Sequence, residues 1–185
     1  YVGAWSRDVD RELLGRVLLN KYIVFYRKED GTPVALENRC PHRNLPLSEG
    51  KLVGDDIECG YHGMIFNCDG NCIHLPGSET APTWATVKRY PVAERNGWLF
   101  YWPGDPSKAD EALLPDYHQY NENEHWIKAQ GQTYVNAGYR LILDNLLDLS
   151  HLTYVHGSTT GNRAVAEMAQ LTTELDGDSV RVTRW

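Results

Sequence analysis

The chain has 185 residues, 42% of them apolar, and 25 acidic against 18 basic side chains give it a formal net charge of −7. That balance provides no basic patch for nucleic acid, and no stretch approaches the roughly 20 apolar residues needed to cross a bilayer. A chain of this length buries about 70% of its unfolded surface, which suits one small domain plus part of another. The sequence opens at Tyr1 with no methionine and no visible secretory signal, and it carries no internal repeat or low-complexity segment. The first predicted elements are strands. Residues 22–26 and 34–36 form a pair around the Asp30-Gly31 hairpin signal.

Two short segments follow, Cys40-Pro41-His42 and Cys59-Gly60-Tyr61-His62. Each offers one thiolate and one imidazole, the order that a Rieske [2Fe–2S] cluster requires, with two cysteines on one iron and two histidines on the other. Cys40 and Cys59 are the candidate ligands of the inner iron, His42 and His62 those of the outer one. Neutral imidazoles bring less negative charge than thiolates, so such a cluster is easier to reduce than an all-cysteine one, at roughly −150 to +300 mV. Two Cys and two His also satisfy a tetrahedral zinc ion. Zinc fingers, however, usually present a cysteine pair and then a histidine pair, whereas each half here is mixed.

Residues 64–66 lead into an Asp69-Gly70 turn flanked by Cys68 and Cys72. Those two cysteines read as ordinary reduced thiols, because the cluster already has its ligands. Residues 90–92 and 98–102 flank Asn96-Gly97, the strongest short hairpin signal. The region reads as a small antiparallel β domain whose ligands sit on two loops at one end, with the inner iron shielded and the outer histidines near the surface. Pro103-Gly104-Asp105-Pro106 ends the last strand, and the turn-rich, acidic stretch to about residue 116 reads as a linker.

Beyond it, residues 126–134 have strand character, and residues 136–156 show a long apolar periodicity of Leu141, Leu143, Leu146, Leu147, Leu149, Leu152 and Val155. Few breakers interrupt that run and Gly157 marks its stop, so a helix is predicted. Asn145, Asp148 and His151 recur at spacings of three on one face. His156 follows His151 by five residues, about 140° further round an ideal helix, so a shared metal needs the last turn to bend or unwind. Two histidines near a carboxylate suggest the facial triad of a non-haem iron oxygenase. The alternative is that His151 and His156 are surface or capping histidines, favoured by the dipole near a helix C-terminus.

Over essentially its whole length the sequence resembles the Rieske non-haem iron aromatic ring oxygenases, and within them the O-demethylase branch that includes vanillate and dicamba demethylases. The matching residues are Cys40-Pro41-His42-Arg43, Cys59-Gly60-Tyr61-His62-Gly63, Tyr101-Trp102-Pro103-Gly104-Asp105, the run Asp144-Asn145-Leu146-Leu147-Asp148-Leu149-Ser150-His151, and Tyr154-Val155-His156. The resemblance implies an α+β protein, with an all-β Rieske domain over 1–116 followed by the start of a helix-grip catalytic domain over 117–185. It implies that His151 and His156 bind a mononuclear Fe(II), and that Asp148 bridges a cluster histidine to an iron-ligand histidine of a neighbouring subunit. Asn145 would lie near that iron. Respiratory Rieske proteins carry an extra disulfide between their cluster loops; the matching positions here are Leu45 and Tyr61, which points to the lower-potential branch. The family's third iron ligand is a carboxylate far downstream, matched by none of Glu167, Glu174, Asp176 and Asp178, so the chain reads as a fragment of a larger subunit.

The expected function is the terminal oxygenase component of a bacterial, cytoplasmic monooxygenase that removes a methyl group from a methoxylated aromatic acid. Electrons from NAD(P)H would arrive through a separate reductase or ferredoxin, since no glycine-rich dinucleotide fingerprint is present. A homotrimer is implied by resemblance alone. Two other readings stay open: a Rieske electron carrier whose downstream helix is structural, and a ring-hydroxylating oxygenase.

Overall fold

The run Ile23-Val24-Phe25-Tyr26 has no polar alternation, and the computed structural model, which describes residues 1–115, 125, 131–167 and 170–184, shows why. These residues lie in β3 (Lys21–Arg27), the second strand of a four-stranded antiparallel sheet with β2 (Leu14–Leu18), β4 (Pro33–Glu37) and β9 (Arg89–Tyr90). Successive strand side chains point to opposite faces, and both faces of this sheet are covered. Val24, Tyr26, Val34 and Leu36 enter one core with Leu47, Ile57, Met64 and Phe66. Ile23, Phe25 and Ala35 enter a second with Ala4, Tyr90, Leu99 and Tyr101. A strand buried on both faces reads as a continuous apolar run.

The first core is closed by a sheet of β5 (Lys51–Val53), β6 (Asp56–Glu58), β7 (Ile65–Phe66) and β8 (Cys72–His74). The second is closed by β1 (Val2–Trp5), β11 (Trp98–Tyr101) and β10 (Val92–Arg95). The strand expected over 90–92 is split, because Pro91 has no N–H to give to a ladder. β9 ends there in one sheet and β10 starts in another. Asn96 and Gly97, with φ of 54° and 79°, make the two-residue turn between Arg95 and Trp98 that the Asn-Gly pair announces. Gly70, at φ +86°, is irreplaceable for a second reason: a Cβ there would stand 2.1 Å from the Val87 carbonyl oxygen.

These strands belong to the first of two compact units, Tyr1–Lys128; the second is Ala129–Trp185. The boundary expected at 116–117 and residues 126–130 of the expected strand lie outside the described residues, while residues 131–134 carry no strand. The second unit contains α1 (Tyr139–Leu147), a 3₁₀ turn over Leu149–His151, α2 (Leu152–Val155), α3 (Arg163–Glu167) and the hairpin of β12 (Leu171–Asp176) with β13 (Ser179–Arg184). The single helix expected over 136–156 is therefore corrected. It breaks at Asp148, which adopts φ −88° and ψ 90° and caps the next turn by accepting from the Ser150 amide at 3.0 Å. Aspartate favours such local caps over helix interiors. Among the described residues no helix is long and apolar enough to cross a membrane. A first unit whose described residues are mostly strand, followed by helices and a hairpin, makes the chain α+β.

Candidate metal centres

The two Cys/His segments fold into nearly the same loop. The Cys40 amide donates to the Leu45 carbonyl at 2.9 Å and the Asn44 amide donates back to the Cys40 carbonyl at 2.8 Å. In the second loop the Cys59 amide donates to Met64 at 2.8 Å and the Gly63 amide to Cys59 at 3.0 Å. The residue four after each cysteine takes the left-handed conformation, Asn44 at φ 61° and Gly63 at φ 70°. Asn and Gly are the residues that visit this region most readily. Their placement at the same offset from each cysteine was a usable sign of paired loops that the ligand pattern alone does not give. Gly60 lets the loops approach, since a Cβ there would be 2.6 Å from the Glu49 carbonyl.

Both cysteines are 2% exposed, within the first core, while His42 and His62 are exposed. The two imidazole rings lie 4.5 Å apart between centroids, tilted by 58°. Tyr61, itself 61% exposed, stands with its ring 3.9 Å from that of His62 at 31°. Burial pushes the Cys40 thiol above its ordinary value; the backbone amides of His42 and Arg43, bonded to its sulfur, pull it down, and the neighbouring Cys59 thiol pushes it up. Those amides are donors placed for a thiolate. Among the described residues no three His, Cys, Asp or Glu side chains gather where one metal ion could be held. The four ligand candidates instead form a buried thiol pair and an exposed imidazole pair. That arrangement suits two irons with two protein ligands each. Cys68 and Cys72 are free, and the Cys72 thiol donates to the His74 carbonyl at 3.3 Å.

In the second unit the break at Asp148 changes how its candidates meet. Asn145 remains in the last turn of α1, Asp148 leaves the helix, and His151 ends the 3₁₀ turn. His156 caps α2 at φ −111°, outside the helical region. The face that spacings of three drew through Asn145, Asp148 and His151 therefore does not exist as one ideal helix. The unwinding nevertheless brings the rings of His151 and His156 to 5.5 Å, edge to face. Metal–nitrogen bonds of about 2.0–2.1 Å let two such rings reach one ion. His151 Nδ1–H donates to the Asp148 carbonyl, since a carbonyl can only accept, and in the neutral ring this puts the lone pair on Nε2. The Asp148 carboxylate also takes the hydroxyl of Ser150. A cleft of about 300 Å³ lies between this turn and the hairpin, lined by Leu146, Leu149, Leu171, Thr173 and Val182 among others.

The Rieske [2Fe–2S] domain family matches residues 1–91, and the vanillate O-demethylase oxygenase C-terminal domain family matches residues 135–185. The toluene-4-sulfonate monooxygenase system iron-sulfur subunit of Comamonas testosteroni is 40% identical over all of this chain and 54% of its own length. The vanillate O-demethylase oxygenase subunit of a Pseudomonas strain is 38% identical over all of this chain and 51% of its own. A crystal structure of dicamba monooxygenase bound to dicamba superposes with a TM-score of 0.89 at 33% identity, covering 98% of this chain and 54% of that one. The chain thus spans about half the length of the curated relatives it matches. With a Rieske [2Fe–2S] domain match followed by a vanillate O-demethylase oxygenase C-terminal domain match, it belongs to the Rieske non-haem iron oxygenases, on the branch of the vanillate and dicamba O-demethylase oxygenase subunits.

Proposed function

We propose that Cys40 and Cys59 hold the inner iron of the cluster and His42 and His62 the outer one, and that the chain is part of the terminal oxygenase component of an aromatic monooxygenase. The observation that carries this is the sorting of the four side chains into a buried thiol pair and an exposed imidazole pair, 4.5 Å apart between rings. When bound, the cluster supplies one-electron transfer and a mononuclear iron supplies activation of O₂. The chain's own residues do the rest. The core around the cysteines excludes water, the amides of His42 and Arg43 stabilise thiolate charge, and the exposed imidazole edges give an outside redox partner a short approach.

We further assign His151 and His156 as two ligands of the mononuclear Fe(II), supported by their 5.5 Å approach and by the hydrogen bond that orients His151. Asp148 is assigned as the bridging acid to a cluster histidine of a neighbouring subunit in a homotrimer, and Asn145 as a residue near the iron. A carboxylate bonded to two metal-bound imidazoles fixes their tautomers and orientation. The electron donor is a separate reductase or ferredoxin, and an iron–sulfur cluster beside the unpaired thiols of Cys68 and Cys72 suits a bacterial cytoplasm.

For the reaction we propose O-demethylation of a methoxylated aromatic acid, in line with the vanillate and dicamba relatives. Hydroxylation of the methoxy carbon yields a hemiacetal that releases formaldehyde and the phenol. The 40% identity to the toluene-4-sulfonate monooxygenase subunit favours a second reading, oxidation of an aromatic sulfonate. The full-length subunit with a reductase, NADH and a panel of methoxylated benzoates and aryl sulfonates tests both. Formaldehyde formed in step with NADH use supports demethylation. Oxidation of the sulfonates alone, without formaldehyde, contradicts it.

A further inference from the structure

Among the described residues Asn38 is the only buried side chain carrying an amide or a charge, and it spends its whole carboxamide on one residue ten positions on. Its Oδ1 accepts from the Ser48 amide at 2.7 Å, and its Nδ2 donates to Ser48 Oγ at 2.9 Å. Its backbone N–H donates to the Tyr22 carbonyl at 2.9 Å, which ties it to β3. The whole first ligand loop, with Cys40 and His42, hangs between Asn38 and Ser48. A third segment is fitted to the pair: a Cβ on Gly15 of β2 would lie 2.8 Å from Ser48 Oγ and 3.1 Å from Asn38 Nδ2.

The second ligand loop needs no such device. Its ends are held by strand pairing, Glu58 with Ile65 and Ile57 with Phe66. The first loop leaves β4 and exits through a 3₁₀ turn, Leu47–Glu49, into β5, and β4 and β5 lie in different sheets. Beyond the like backbone bonds inside each loop, the ends of one are joined by a ladder and the ends of the other by the Asn38 carboxamide.

We propose that Asn38 and Ser48, with the space left by Gly15, are positioning residues that hold the first ligand loop in the geometry in which Cys40 and His42 bind the cluster. The proposal rests on the cluster assignment above. Removing the Ser48 hydroxyl leaves the buried Asn38 amide without its acceptor, and removing the Asn38 carboxamide leaves the half-buried Ser48 amide and hydroxyl without their partner; either frees the loop at its exit, and outer residues that orient metal ligands typically matter about 10–100-fold for metal retention.

The test compares the reconstituted wild-type protein with Asn38→Ala, Ser48→Ala, the double variant, Gly15→Ala, and Leu99→Ala as a control that damages only the other core. Cluster loss to a ferrous chelator is timed at a temperature where circular dichroism shows each protein folded, and the reduced EPR spectrum is recorded. Asn38→Ala should bleach about tenfold faster than both wild type and Leu99→Ala, with a shifted EPR spectrum, and the double variant should add little to it. Should Asn38→Ala not fold, Ser48→Ala and Gly15→Ala carry the same comparison. Clasp variants that bleach no faster than Leu99→Ala and keep the wild-type spectrum overturn the proposal. A wild-type protein with no Rieske spectrum overturns the cluster assignment itself, a different failure.

Discussion

The two units treat their apolar residues in opposite ways. In the first, Ile23, Val24, Phe25, Leu36, Leu47, Ile57, Phe66 and Leu99 are all fully buried, in two cores on either side of one sheet. In the second, Leu141, Leu146 and Leu147 are 66%, 62% and 69% exposed, and no described residue there is buried. The leucines of α1 have the spacing of a helix that packs, yet they stay wet. The first unit thus has a core of its own to hold its candidate ligands. In the second, local hydrogen bonds such as the Asp148 cap hold the turn that pairs His151 with His156.

That difference can be broken most sharply at the ligands. Cys40→Ser or Cys59→Ser should abolish the cluster outright, read as loss of acid-labile sulfide and of the reduced EPR signal; a variant that keeps both contradicts the assignment. Leu36→Ala in the first unit should cost about 2–5 kcal/mol in urea unfolding, the range for truncating a buried leucine. Leu146→Ala should change stability by no more than about 0.5 kcal/mol, as exposed positions do. Equal costs at the two sites would erase the contrast. Gly70→Ala should cost roughly 1–3 kcal/mol for its clash with the Val87 carbonyl, whereas Gly97→Ala, which meets open space and only a positive φ, should cost about 1 kcal/mol.

Asp148→Asn sharpens the functional side of the contrast. Asparagine caps a helix start as well as aspartate does, so the turn should hold and both metals should stay bound. Turnover of the full-length subunit should fall about 10–100-fold, as for residues that orient metal ligands. Full turnover would remove Asp148 from the bridge. A small effect is expected at Glu94. Partial burial pushes its carboxyl up, but Arg27 at 2.9 Å and the Ser6 hydroxyl hold it below its ordinary value. A carboxyl depressed in the folded state contributes stability above its ordinary value and loses it as the pH falls through the depressed one. Glu94→Gln should therefore flatten the acid limb of the unfolding free energy against pH by about 0.2–1 kcal/mol; an unchanged acid limb would show that the pair contributes nothing.

What the sequence made legible follows the same division. The proposed ligand set drew attention because alternating thiolate and imidazole at short spacing has few other uses. The β3–β4 pair and the Asn96-Gly97 hairpin were readable from an apolar run and from the residues that tolerate positive φ. The sheet of β5 to β8 was not, apart from residues 64–66, because strands of two or three residues are too short to show a period. The break at Asp148 was hidden for another reason: leucines continue at helical spacing on both sides of it, and only the cap to Ser150 reveals the new start. Asn38 and Ser48 left no signal, since a buried asparagine looks in sequence like any loop asparagine.

The most direct measurement is anaerobic reconstitution of the protein with Fe(II) and sulfide, followed by iron and labile sulfide per chain and EPR of the reduced form. About two labile sulfides per chain and a Rieske spectrum with nitrogen coupling from two histidines are expected from one such cluster. A colourless protein that takes up no labile sulfide, or a spectrum without nitrogen coupling, would contradict the assignment of Cys40, His42, Cys59 and His62.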